Sequence, residues 1–271
     1  MATPPPPKTH LAFHYDANLH TTTTTVQSVF PLSQLKDPHV SLFKAPPPDS
    51  HIVTTTSTIF HPQGGGQPSD TGTMTSSDTT FTVLAARTTP EGQVLHLGTF
   101  SAEPFAPSSD ITQTIDSAKR LYYSRLHTAG HVLGAAVRHL LQDEIAGFDE
   151  LKASHFPDSA ACEFQGLIEG ARKVGIQSLV DDYVDKGMPV EIEWWDRTDF
   201  EREGLQRLIP EGMREGHEEW AEKLRVVRIR GAEVYPCGGT HVPTTRECGK
   251  TTVKKISRSK GTSRVSYSLV E

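Results

Sequence analysis

Two kinds of hydrophobic patterning divide this chain. Up to about residue 112, the runs 52–60, 81–86 and 94–99 are rich in β-branched residues and bounded by Gly, Pro or Asp, which marks short strands. They predict a small β-barrel or sandwich. From about 116 to 142 the chain reads DSAKRLYYSRLHTAGHVLGAAVRHLLQ, with helical spacing and no proline. Asp116 or Ser117 stands where an N-cap belongs. Gly130 and Gly134 would each weaken an isolated helix by ~1 kcal/mol relative to alanine. Their spacing predicts that another backbone approaches the face carrying His127 and His131.

Beyond this helix, strands and helices alternate. Residues 160–165 read as a strand and 168–185 as a helix. Val190, Ile192 and Trp194 alternate with Glu191 and Glu193, the pattern of a half-buried strand. Helix is predicted over 198–208 and roughly 217–223, strand over 224–230, and two closing strands over 251–257 and 263–269. The second half is therefore α+β. The expected domains are 1–112 and 113–271.

Composition changes this picture in three places. The first dozen residues, with a proline run at 4–7, are expected to be disordered, and the prolines at 46–48 mark a surface loop. The net charge is −6, yet residues 249–264 hold Lys250, Lys254, Lys255, Arg258, Lys260 and Arg264 with no acid, which focuses positive potential on one edge. The stretch 191–222 is instead acidic and reads as exposed helix surface. Three cysteines cannot make a disulfide framework and suit a reducing compartment. With no long apolar run and no apolar signal core, the expected location is the cytosol.

The chemistry lies in three short motifs. On a helix, residues four apart share a face, so His127 and His131 of HTAGH can aim at one ion. A zinc peptidase of the HExxH type would carry glutamate after the first histidine; here Thr128 stands there, which excludes that class. The stretch Cys237-Gly-Gly-Thr-His241 reads as a tight loop presenting a thiol and an imidazole. Its Cys and His can complete a metal site begun by the helix, or form a nucleophile with its base, or be a buried thiol beside a turn. Together the two stretches make the tetrahedral donor set of zinc. Four protein donors leave open whether His241 closes the shell or stands behind it. The third motif, FHPQGGGQPSDTG, places Gly64, Gly65 and Gly66 where backbone N–H groups can line a polar ligand, beside the amide of Gln67. It is neither a P-loop nor a dinucleotide fingerprint, so no nucleotide cofactor is expected.

In this order the motifs FHPQGGGQPSDTG, RLHTAGHVLG and CGGTHV, with a basic strand pair at the end, resemble the freestanding alanyl-tRNA editing proteins of the AlaX type, relatives of the editing domain of alanyl-tRNA synthetase. The resemblance runs from about residue 52 to the C-terminus. It implies an N-terminal translation-factor-like β-barrel followed by an α+β editing domain shared with alanyl- and threonyl-tRNA synthetases. It implies zinc on His127, His131, Cys237 and His241, and substrate selection by Gly64, Gly65, Gly66 and Gln67. Gly130 departs from the Thr common at its position. The implied reaction is hydrolysis of mischarged seryl-tRNA(Ala), with glycyl-tRNA(Ala) a second substrate. Gln67 and Thr128 are then the candidate catalytic residues, Thr240 a substrate contact, and the six bases from Lys250 to Arg264 the tRNA contacts. Editing of seryl-tRNA(Thr), a zinc-stabilised tRNA-binding module without hydrolysis, and a different zinc hydrolase are the rival readings.

Overall fold

The computed structural model describes residues 7–35, 39–210 and 223–270. The chain divides into two compact units, Met1–Tyr123 and Ser124–Glu271, so the division falls inside the predicted long helix rather than before it.

The first unit contains strands β1 (His10–Leu11), β2 (Thr21–Pro31), β3 (His51–Thr55), β4 (Ser57–Thr58), β5 (Gly72–Ser76), β6 (Thr79–Thr88), β7 (Val94–Phe100) and β8 (Asp110–Ile115). Six of them close a barrel in the order β2-β3-β7-β6-β5-β8, the closed form of the expected barrel or sandwich. Alternating residues such as Val26, Val53, Met74, Phe81, Val83 and Ile111 fill it. The strand expected over 52–60 breaks at Thr56. There the Gln113 side chain replaces the ladder, accepting from the Ile59 N–H at 2.9 Å and donating to the Thr55 hydroxyl and the Ser57 carbonyl at 3.2 Å. Of the start expected to be disordered, residues 1–6 lie outside the described residues. From Thr9 that expectation is corrected: Thr9 is buried, its hydroxyl accepts the Val94 N–H at 3.0 Å, and β1 pairs with β4.

Helix α1 (Ser117–Leu141) begins with Asp116, whose carboxylate accepts the Lys119 N–H at 3.0 Å. Within the second unit, its residues 126–138 are buried on every side, because Ala129, Gly130, Gly134, Ala135 and Ala136 leave little bulk on any face.

The second unit continues with β9 (Asp149–Ser154), β10 (Ala161–Gln165), α2 (Lys173–Lys186), β11 (Val190–Trp195), α3 (Arg197–Arg202), β12 (Leu224–Ile229), β13 (Glu233–Pro236), β14 (Thr251–Ser259) and β15 (Thr262–Leu269). They form a four-stranded sheet, β14-β15-β10-β9, and a three-stranded sheet, β11-β12-β13. The helix expected over 198–208 stops at Arg202 and resumes as a single 3-10 turn, Gln206–Leu208. The helix expected over 217–223 lies outside the described residues, Lys223 excepted. Glu191 and Glu193, which fall in the stretch 191–222 expected as helix surface, lie instead on β11, as the alternation over 190–194 predicts, and pair with Arg230, just past β12, and with Arg228 of β12. Among the described residues, no helix is long and apolar enough to cross a membrane.

Candidate metal centre and glycine loop

His127 and His131 share one face of α1. Cys237 and His241 come from the loop that follows β13. One donor atom from each of the four side chains lies within 4.8 Å of the other three. The Cys237 Sγ is 3.4 Å from His127 Nε2 and 3.3 Å from His241 Nε2. His127, His131 and His241 are buried and Cys237 nearly so.

Protonation follows from the neighbours. The Thr128 hydroxyl donates to the Ser124 carbonyl at 2.9 Å, so its only proton is spent. It accepts the Val242 N–H at 3.1 Å, and His241 Nδ1, at 3.2 Å, must therefore be the donor. This fixes the His241 tautomer with the Nε2 lone pair turned toward Cys237, the way a metal-binding imidazole is held from behind. Burial, helped by His155 and Arg225, holds His131 well below the usual histidine range, so it stays neutral. Its Nε2 is buried with no hydrogen-bond partner. Burial also pushes the Cys237 thiol up, against the Gly239 N–H and the Arg225 guanidinium, which favour the thiolate.

An orphaned buried imidazole nitrogen beside a thiol and two further imidazoles is unfavourable by itself. A soft divalent cation would satisfy all four donors at once, so the residues present fit a metal ion. The alternative of a Cys237 nucleophile is disfavoured, because burial works against the thiolate it would need.

The two glycines of α1 are explained by side chains, not by the backbone expected there. A Cβ on Gly130 would lie 2.5 Å from His155 Nδ1 and 2.6 Å from the Tyr267 hydroxyl; one on Gly134 would lie 2.7 Å from Glu150 Oε2 and 2.8 Å from the Tyr235 hydroxyl. Neither His155 nor Tyr235 is marked by any motif, yet the His155 ring stacks on His127 with centroids 4.0 Å apart. Thr240 is fully buried, with its hydroxyl 2.7 Å from that of Ser124.

The glycine motif belongs to the barrel unit. Gly64 and Gln67 exchange both backbone hydrogen bonds, at 3.2 and 2.9 Å, around Gly65 and Gly66, whose φ values are +55° and +78°. Two successive positive φ values are those of a type I′ turn, which glycine adopts without strain. The amides of Gly64 and Gln67 are consumed inside the turn, so fewer N–H groups remain to line a ligand than the three glycines suggested. Gln67 itself is buried. The loop's base is tied by Asp70, which accepts the His61 N–H at 2.7 Å and forms an ion pair with Arg120. Arg120 also donates to the carbonyls of Ala17 and Ile59.

Of the six predicted phosphate contacts, Lys250, Lys254, Lys255, Arg258 and Lys260 are exposed. A bulge in β14 between Val253 and Lys255 turns two successive lysines to solvent. Arg264 is half-buried, paired with Glu163 at 3.0 Å and donating to the Ser159 carbonyl.

The "Threonyl and Alanyl tRNA synthetase second additional domain" matches residues 224–266, which hold Cys237 and His241. An alanine–tRNA ligase of Methanosphaera stadtmanae is 30% identical over 97% of this chain and 27% of its own length. One from Methanothermobacter thermautotrophicus is 32% identical over 78% of this chain and 23% of its own. The alanyl-tRNA editing protein AlaX-L of Pyrococcus horikoshii is 31% identical over 71% of this chain and 44% of its own. The chain thus spans about a quarter of the ligases and under half of the editing protein. It is homologous to alanyl-tRNA synthetases and to AlaX-L, and it carries the domain that alanyl and threonyl tRNA synthetases share.

Proposed function

We propose that this relative of alanyl-tRNA synthetase and AlaX-L is a zinc-dependent deacylase that hydrolyses seryl-tRNA(Ala), and glycyl-tRNA(Ala) as a second substrate. The observation that carries this reading is the convergence of His127, His131, Cys237 and His241, with a buried His131 nitrogen awaiting a partner, in a chain with that homology. Water adds to the ester carbonyl between the amino acid and the terminal ribose; the products are free serine and the ribose hydroxyl.

The need for such an enzyme is physical. Serine is alanine plus a hydroxyl, and a pocket built for a methyl group rejects the extra oxygen by only ~10²-fold. A site built to bond that hydroxyl discriminates more easily. Alanine leaves its polar groups unpaired, which separates the two by ~10⁴–10⁵. Gln67 and the Gly65–Gly66 turn are the candidates for that contact.

His127, His131, Cys237 and His241 would hold the metal. Bound zinc supplies fixed positive charge and Lewis acidity toward the aminoacyl end. The four donor atoms lie within 4.8 Å of one another, so His241 would be one of the residues that hold the metal. Thr128 acts through His241 as a positioning residue, since its hydroxyl is fully used. The Ser124–Thr240 pair stiffens the loop that carries His241. The exposed lysines of β14, with Arg258 and Lys260, meet tRNA phosphates; Arg264 contributes by holding the sheet.

The test is deacylation of seryl-, glycyl- and alanyl-tRNA(Ala) and seryl-tRNA(Thr), with and without chelator. Chelator-sensitive turnover of seryl-tRNA(Ala), with alanyl-tRNA(Ala) spared, is expected. Zinc-loaded protein that binds tRNA without turnover would make it a binding module. Faster turnover of seryl-tRNA(Thr) would move the substrate to the threonine system.

A further inference from the structure

The sequence HTAGHVLG repeats a small design: each histidine is followed, three residues on, by a glycine. On a helix that spacing puts His127 next to Gly130 and His131 next to Gly134 on one face. Each glycine opens a slot: the His155 ring fills the one at Gly130, and the Tyr235 hydroxyl together with the Glu150 carboxylate fills the one at Gly134. His155 enters beside Gly130, and its ring lies 4.0 Å from that of His127 at an interplanar angle of 23°. Tyr235 enters beside Gly134, and its ring lies 4.2 Å from that of His131 at 36°.

Both rings are fixed from their far ends. The Tyr267 hydroxyl donates to the Leu126 carbonyl at 2.9 Å, so its proton is spent and it accepts from His155 Nδ1 at 2.7 Å. The Tyr235 hydroxyl donates to the carbonyl of His131 itself at 3.2 Å. Leu126 and His131 belong to α1, so each clamp is anchored on the helix that carries the ligand it covers. His155 and Tyr235 come from elsewhere: one follows β9 and the other lies in β13. Neither supplies a donor to the four-residue cluster.

We infer that His155 and Tyr235 are positioning residues for the metal site: their rings, admitted by Gly130 and Gly134, lock the planes of His127 and His131 and so set the affinity for the metal. The inference rests on the metal reading above. A free imidazole rotates about its side-chain torsions; a ring packed on its face removes that freedom before the metal arrives. Hydrogen-bonded outer-shell groups that orient a ligand commonly change metal affinity by ~10–100-fold, and a packed ring that fixes the same torsions acts through the same preorganisation.

The experiment measures zinc affinity by competition with a chromogenic chelator, and records the visible spectrum of the cobalt-substituted protein. Wild-type protein comes first, because failure to take up zinc sinks the metal reading before any clamp is tested. His155→Ala and Tyr235→Ala should each weaken zinc about tenfold or more and alter the cobalt bands. His155→Phe and Tyr235→Phe keep the rings and lose only the anchoring bonds; they should stay within about threefold of wild type. Alanine variants with wild-type affinity and cobalt spectrum would overturn the inference. So would phenylalanine variants that bind zinc about tenfold or more weaker than wild type, since ring packing would then not be the cause; this arm is read against wild type and stands even where an alanine variant fails to fold.

Discussion

The glycine loop of the barrel and the His/Cys cluster of the second unit are held in opposite ways. The loop closes on itself: Gly64 and Gln67 pair across two residues, and Asp70 returns to the backbone of His61. Its distant ties include the Gln63 N–H donating to the Ala86 carbonyl at 3.0 Å and the buried Arg120–Asp70 ion pair, with side chains 2% and 1% exposed. In the cluster, the Gly239 N–H donating to the Cys237 Sγ closes only the loop side. Its donors arrive from a helix and from a loop about a hundred residues later, and they leave a buried nitrogen without a partner. One region is completed by the chain alone; the other leaves a buried nitrogen that the metal proposed above would satisfy.

The cluster half of this contrast breaks most completely with Cys237→Ala. That variant should lose stoichiometric zinc, read by metal analysis after dialysis, and seryl-tRNA(Ala) deacylation with it. Wild-type turnover without metal would end the zinc mechanism. The loop half breaks with Arg120→Ala, which leaves Asp70 as a buried unpaired carboxylate. A loss of about 3–5 kcal/mol in denaturant unfolding is expected. Asp70→Asn in the same chain should recover part of it, which separates the uncompensated charge from lost packing.

A third variant sharpens the contrast, because the second unit also holds a strained polar group that is not part of the cluster. Glu150 has a buried oxygen without a hydrogen-bond partner, and burial pushes its carboxyl up to about 7, with Arg138 opposing and Glu233 and Asp149 adding. The folded state therefore binds the proton more tightly than the unfolded chain. Its penalty is absent below the ordinary carboxylate pKa, grows as pH rises toward 7, and is complete above it. Glu150→Gln should stabilise the protein by about 1–3 kcal/mol at pH 8, and by little at pH 4.5. An equal effect at both pH values would refute the assignment.

Thr128→Val keeps volume but removes the acceptor behind His241. Zinc affinity should fall about tenfold, or ~1.4 kcal/mol, without loss of fold. The smallest effect expected is from Lys254→Ala on the β14 bulge. It should weaken tRNA binding irrespective of the amino acid attached and lower the salt slope by about one. An unchanged slope would remove that lysine from the tRNA surface.

How much of this is legible from residues varies with range. Strands β3, β6 and β7 of the barrel, α1 with its Asp116 cap, and the closing hairpin follow from alternation, periodicity and turn residues; β2, β5 and β8 do not stand out in this way. The break at Thr56 does not, because it depends on Gln113 reaching across the barrel. Nor do β9 and β13: Glu150, Lys152 and Glu233 make them look polar, while their pairing lies in other strands. The four donors can be named from motif spacing. The roles proposed for Thr128, His155 and Tyr235 cannot, since nothing local distinguishes a hydroxyl that fixes a tautomer or a ring that packs on a distant imidazole.

The sequence by itself determined many of the elements, the candidate donor chemistry and the exclusion of a glutamate-dependent peptidase, because each is written in neighbouring residues. It also carried the two glycines of HTAGHVLG, though not their meaning. Only the tertiary structure decided that the slots they open receive side chains, that His241 presents Nε2, that Arg264 is engaged with Glu163, and that the glycine turn uses up two of its own amides. Local patterning fixes what a segment can be. Which lone pair is free, and which proton is already spent, depends on partners brought together from far along the chain.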